Sequence, residues 1–225
     1  MLKIFISLIV VLSFTKVFAA SGSADKYSVT MKKVELCSTS ACSSSTVVAT
    51  GSQGIDIAGM SAGAEAASFG STSGLPVGST FTHLRVTLSR TFTIQSTVTD
   101  GSNTCTTDGS TEANATTLHV GTKNDTSGKT DTTFYIADAD DYGSGGNIGI
   151  SYDTPTYAVS MTVAQPETGQ MQMIYKLASS YTVGPIAPKI KVSFDTSAAV
   201  GGSVDQGGTC RMWPNEPVVT IALTE

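Results

Sequence analysis

The chain has 225 residues, 13 of them Lys or Arg against 18 Asp or Glu, for a formal charge of −5. An acidic chain with no basic cluster repels phosphate backbones, which argues against nucleic acid as a partner. Apolar residues make up 40% of the chain and recur at strand spacing, so the composition is not that of a disordered protein.

Residues 1–19 read as a secretory signal peptide. Lys3 supplies the positive start, 4–14 is an apolar run, and Val17-Phe18-Ala19 offers the cleavage pattern. The run is shorter than the ~20 residues that a membrane span takes, and no other stretch approaches that length. The mature chain is therefore expected to carry no transmembrane span, and Lys3 and Lys16 leave with the signal, taking the charge from −5 to −7. Residues 20–225 are expected to form a single domain at a secreted, cell-surface or periplasmic location.

In chain order, Tyr27, Val29 and Met31 alternate, and then Val34 and Leu36 continue in the opposite phase. This predicts a strand over 26–37 with a bulge at Lys32-Lys33. Short strands follow at 46–49 and 54–58, and the alanines of 58–69 suggest one or two helical turns. Leu75-Pro76-Val77-Gly78 is a turn. It leads into the longest alternating run, with Leu84, Val86, Leu88, Phe92 and Ile94 on one face and Arg85, Thr87, Ser89, Thr91 and Thr93 on the other. Arg90 is the polar intruder on the apolar face, expected at a bulge or rim with its guanidinium reaching water rather than buried against a partner.

Residues 97–132 read as a loop-rich insertion or ragged hairpin tethered by Cys105. It is punctuated by Asp100-Gly101, Asp108-Gly109, Asn124-Asp125 and Ser127-Gly128. Asn114 and Asn124 head Asn-x-Thr triplets, the glycosylation pattern. Strands resume around Phe134 and Ile136 and again over 148–152. Residues 157–163 and 171–177 alternate and predict a hairpin. Strands at 181–183 and 190–194, a glycine-rich loop over 198–208 and a final strand over 218–223 complete the chain. About ten to twelve strands with almost no helix for parallel crossovers point to an all-β fold, an antiparallel β-sandwich.

The four cysteines all lie in the exported part, so disulfides are expected. Of three pairings, the one favoured is Cys37–Cys42, stapling a turn, with Cys105–Cys210 closing a long loop. There is no CxxC, and His83 and His119 are not near a cysteine, which argues against zinc.

The run Leu75-Pro76-Val77-Gly78-Ser79-Thr80-Phe81-Thr82-His83-Leu84-Arg85 resembles the LPxGxYxxIR segment of secreted bacterial proteins with prealbumin-like sandwiches, some related to fimbrial subunits. Val34-Glu35-Leu36 and Ile55-Asp56-Ile57 match in the same order, so the likeness covers about a third of the chain. Phe81 stands where tyrosine is usual, removing a hydroxyl that could bond backbone across a strand corner. The resemblance implies an exported sandwich and supplies no site residues.

The sharpest polar cluster is Asp138, Asp140 and Asp141 before Gly143. Carboxylates at this spacing suit Ca²⁺, against the plainer reading of a solvated acidic turn. No GxSxG elbow occurs, and Asp153 and Glu167 lack the context of a hydrolytic carboxylate pair, so no catalytic residue is assigned and the chain is not expected to be an enzyme. Trp213 with Tyr142, Tyr152 and Tyr157 could form a sugar platform, with core packing the favoured reading of the tryptophan. The function expected is that of a secreted, structural or adhesive surface protein, a filament or pilus-like subunit that self-associates by strand exchange. The alternative is an extracellular or periplasmic module that binds carbohydrate or calcium, so the partners considered are a second copy and an extracellular glycan or protein.

Overall fold

The structure is a computed structural model and describes residues 20–60, 71–111, 121–135, 170–205 and 207–224. Among these residues there are thirteen strands and no helix, and all strand pairings within the sheets are antiparallel. This is the all-β, disulfide-stapled architecture expected, with a somewhat higher strand count.

The largest sheet has eight strands. Its backbone is β2 (Ala24–Cys37), which pairs with β3 (Ser45–Asp56), β4 (Thr80–Ser89) and β5 (Thr91–Asp100). β6 (Asn103–Thr106), β7 (Thr122–Lys123) and β8 (Thr132–Tyr135) extend it beyond β5, and β9 (Gln170–Thr182) extends it beyond β4. Two smaller sheets pack on it. One is the ribbon of β10 (Lys189–Asp195) and β13 (Val218–Thr224); the other places β11 (Val200–Val204) between β1 (Ala20–Gly22) and β12 (Cys210–Pro214).

The period-two pattern explains the shared core. Leu84, Val86 and Leu88 of β4, Phe92, Ile94 and Val98 of β5, Met171, Met173, Tyr175 and Leu177 of β9, and Val219 and Ile221 of β13 are all buried in one cluster. The bulge at Lys32-Lys33 is present as a register shift between Met31 and Lys33, and it lets β2 keep Tyr27, Val29, Val34 and Leu36 on the same core.

Several expectations are corrected. The long alternating run is two strands, β4 and β5, which bend apart at Arg90 while pairing in turn with the C-terminal and N-terminal halves of β2. Arg90 does not reach water. It is 2% exposed, and its guanidinium carbon lies 4.6 Å from the Tyr135 ring centroid. The reason is β8, whose Tyr135 pairs with Thr91 and offers the cation an aromatic face in place of solvent. The strands expected at 46–49 and 54–58 are one, β3.

The described residues of the insertion, 97–111 and 121–132, form strands and tight turns rather than loop alone. β5 runs on to Asp100 and turns through Gly101 (φ 61°) into β6, and Cys105, Thr106 and Thr107 are buried. Each of the four turn dipeptides holds a residue at positive φ, Asn124 included at 51°.

The glycine-rich stretch expected as a loop over 198–208 contains a strand at 200–204, β11, the middle strand of its sheet. A Cβ at Gly201 would lie 2.1 Å from Nε1 of Trp213, and one at Gly202 would lie 2.9 Å from Cβ of Val98. These glycines admit close packing on both faces of a strand.

The expected signal peptide, most of the helical turns at 58–69, and the strands at 148–152 and 157–163 lie outside the described residues. No helix among the described residues is long and apolar enough to cross a membrane.

Candidate functional site

Both expected disulfides form. Cys37–Cys42 closes the turn between β2 and β3 with Cα atoms 5.0 Å apart, and Ile174 of β9 packs on it. Cys105–Cys210 joins β6 to β12 across sheets, with Cα atoms 5.5 Å apart. Asp138, Asp140 and Asp141 lie outside the described residues, as do His119, Tyr142, Tyr152 and Tyr157. Among the described residues no group of three His, Cys, Asp or Glu side chains could hold a metal.

His83, on β4, shares a 2.8 Å hydrogen bond between Nδ1 and the Thr82 hydroxyl. Burial, and then the nearby Lys176 charge, hold its pKa below the ordinary histidine value. Trp213 lies across Gly201, its partner on β11, and so serves packing. Asn124, just after β7, is tied to β6. Its Oδ1 accepts the Thr104 backbone N–H at 2.8 Å.

On the outer face, Glu35 of β2 is 2% exposed and forms the centre of a polar cluster. It accepts from Arg85 Nε at 2.8 Å and Nη2 at 2.9 Å, from Ser45 Oγ at 2.9 Å, and pairs with Lys33 Nζ at 2.9 Å. Burial pushes its pKa up, but hydrogen bonds from Arg85, Lys33 and Ser45 outweigh that and hold it at about 2. Every oxygen is engaged, so the cluster fastens β2, β3 and β4 together and leaves no group turned toward a ligand.

A feature with the character of a binding site lies between the large sheet and the β10–β13 ribbon. Here a cavity of about 120 Å³ is walled almost wholly by apolar side chains from both layers. Met31, Met60, Met171 and Met173 all contribute. Glu216, in the link between β12 and β13, is the one charged residue of the lining among the described residues. Burial raises its carboxyl above the usual value, partly offset by a hydrogen bond with Tyr175. The Tyr175 hydroxyl lies 3.3 Å from the Met173 sulfur.

The link that carries Glu216 is pinned on both sides. Asn215 donates its backbone N–H to Ala199 O at 2.8 Å and its side-chain amide to Ala198 O at 3.1 Å, while its own carbonyl accepts the Tyr27 hydroxyl at 3.0 Å. Sequence reading missed this site. Alternation in β9 marked Met171 and Met173 as inward-facing, but nothing local shows that Glu216 sits over them.

No protein-family model, curated protein or solved structure matches the chain.

Proposed function

We propose that the protein is an exported structural or adhesive subunit of a cell surface that associates with its own kind by strand addition along β13. The observation that carries the reading is the character of that edge. β13 pairs with β10 over seven residues, from Val218 opposite Asp195 to Thr224 opposite Lys189, and among the described residues it has no partner on its other side. Natural edge strands are blunted by charge, proline or bulges. Val218–Thr224, reading VVTIALT, has none of these, whereas β10 carries Lys189, Lys191 and Asp195. A two-stranded ribbon is marginal by itself, and a further strand would complete its hydrogen bonding in the manner of β-augmentation. The disulfides and the resemblance of 75–85 to secreted sandwich proteins support an extracellular or periplasmic setting.

Size-exclusion chromatography with light scattering tests this on the non-reduced protein. The expected result is elongated, concentration-dependent assemblies that revert to monomer in a Thr220→Lys/Ala222→Lys variant, which charges the edge while sparing the buried Val219 and Ile221. A strictly monomeric protein at high concentration would overturn the reading.

A further inference from the structure

We propose that the cavity between the large sheet and the β10–β13 ribbon is a binding site for a small apolar amine, an alkyl- or arylammonium about the size of a benzene ring, whose charge pairs with Glu216. The proposal does not rest on self-association.

Four observations converge. The cavity is about 120 Å³, close to the ~150 Å³ of an engineered apolar cavity that stays dry and takes up benzene. Its walls include four methionines, and thioether side chains are flexible and polarisable, so they adapt to an apolar guest and make favourable contacts with a ring. Against that background stands, among the described residues, a single carboxyl. Glu216 is half-buried, at the junction of cavity and solvent, where a ligand can leave its polar end while its body enters. Finally, the anchor is pre-positioned by the Asn215 bonds to Ala198 and Ala199 and by the Tyr27 hydroxyl, so binding need not order the link.

The chemistry selects a cation. A carboxylate partly withdrawn from water lacks solvation, and an ammonium restores it with a charge-assisted hydrogen bond. The Tyr175 hydroxyl, bonded to Glu216 and beside the Met173 sulfur, steadies the carboxylate from the cavity side. A carboxylate ligand would meet like charge at the mouth, and the chain's net charge of −5 also favours approach by cations.

The test compares benzylamine with benzyl alcohol, which shares the ring and carbon skeleton but is neutral, on the full chain. Binding is read by NMR titration of methionine methyl groups and by the ligand-dependent rise in Tm. Benzylamine is expected to bind about tenfold more tightly than benzyl alcohol, because its ammonium adds Coulomb attraction to the carboxylate that a neutral hydroxyl lacks. Glu216→Gln should remove that margin, so that the two ligands bind with similar affinity. Val192→Phe, filling the cavity from the half-buried side of β10, should weaken both ligands. Failure of both ligands to shift the methionine signals would overturn the proposal. So would equal affinity in the unaltered protein, or a preference for benzylamine that survives Glu216→Gln. Melting of each variant without ligand verifies that it is folded.

Discussion

Arg85 and Glu35 face each other across β4 and β2 and are joined by two N–H···O bonds, Nε to Oε2 at 2.8 Å and Nη2 to Oε1 at 2.9 Å. The pair is separated by 50 residues of sequence. Arg85 also donates to the Cys42 carbonyl at 3.3 Å, which ties the ion pair to the first disulfide. The cluster is therefore a structural fastening between strands.

Loss of Glu35 leaves Arg85 without its carboxylate, and loss of Arg85 leaves Glu35 with only Lys33 and Ser45 against burial. Breaking a buried pair from one side costs roughly 3–5 kcal/mol, although replacing both members can be close to neutral. Arg85→Met should thus destabilise the protein strongly, and Arg85→Met/Glu35→Leu should recover much of the loss. A double-mutant cycle from urea midpoints measures the coupling. Additive effects would show that the two side chains act independently.

The same cluster predicts acid sensitivity. Glu35 titrates at about 2 in the folded protein against an ordinary value of 4.5. A depressed carboxyl binds its proton more readily unfolded, so its contribution is present in full above the ordinary pKa and is lost as pH falls toward the folded value. The shift corresponds to about 3 kcal/mol. Unfolding free energy should fall between pH 4.5 and about 2, and Glu35→Gln should flatten that part of the profile. An identical slope in the variant would assign the acid loss elsewhere.

Sequence alone exposed the periodicities but not what faces what. The phase change at Lys32-Lys33 was legible because a bulge flips side-chain parity within one strand. The burial of Arg90 was not, because its aromatic partner Tyr135 arrives on β8, whose register against β5 is a tertiary fact. The glycines of β11 read as a loop because glycine is a common turn residue, and close approach under an indole leaves no other local mark. Glu216 carried no local signal at all, since its setting is made by β2, β9 and the loop before β11.

Gly201 offers a direct check on that packing. Since a Cβ there would lie 2.1 Å from Trp213 Nε1, Gly201→Ala must displace the indole or the strand. Such overpacking costs about 1–3 kcal/mol. The chain has one tryptophan, so its emission reports the displacement without ambiguity, and a red shift with a lowered Tm is expected. Unchanged emission and stability would mean that Trp213 does not lie across β11.

The two disulfides should differ in weight. Chain-entropy reasoning gives a cross-link more effect the longer the loop it closes, though part of any measured effect can be enthalpic. Cys37 and Cys42 are 5 residues apart, and Cys105 and Cys210 are 105 apart. The relation gives about 2 kcal/mol for the short loop and about 4.7 kcal/mol for the long one. The long bridge also joins two sheets, so its loss frees β12 from β6. Cys105→Ser/Cys210→Ser should therefore lower the urea midpoint roughly twice as much as Cys37→Ser/Cys42→Ser. The short bridge has a compensating local role, because Ile174 packs against it and the Cys42 carbonyl accepts from Arg85. A larger loss on removing Cys37–Cys42 would show that this local packing outweighs the entropy of the long loop.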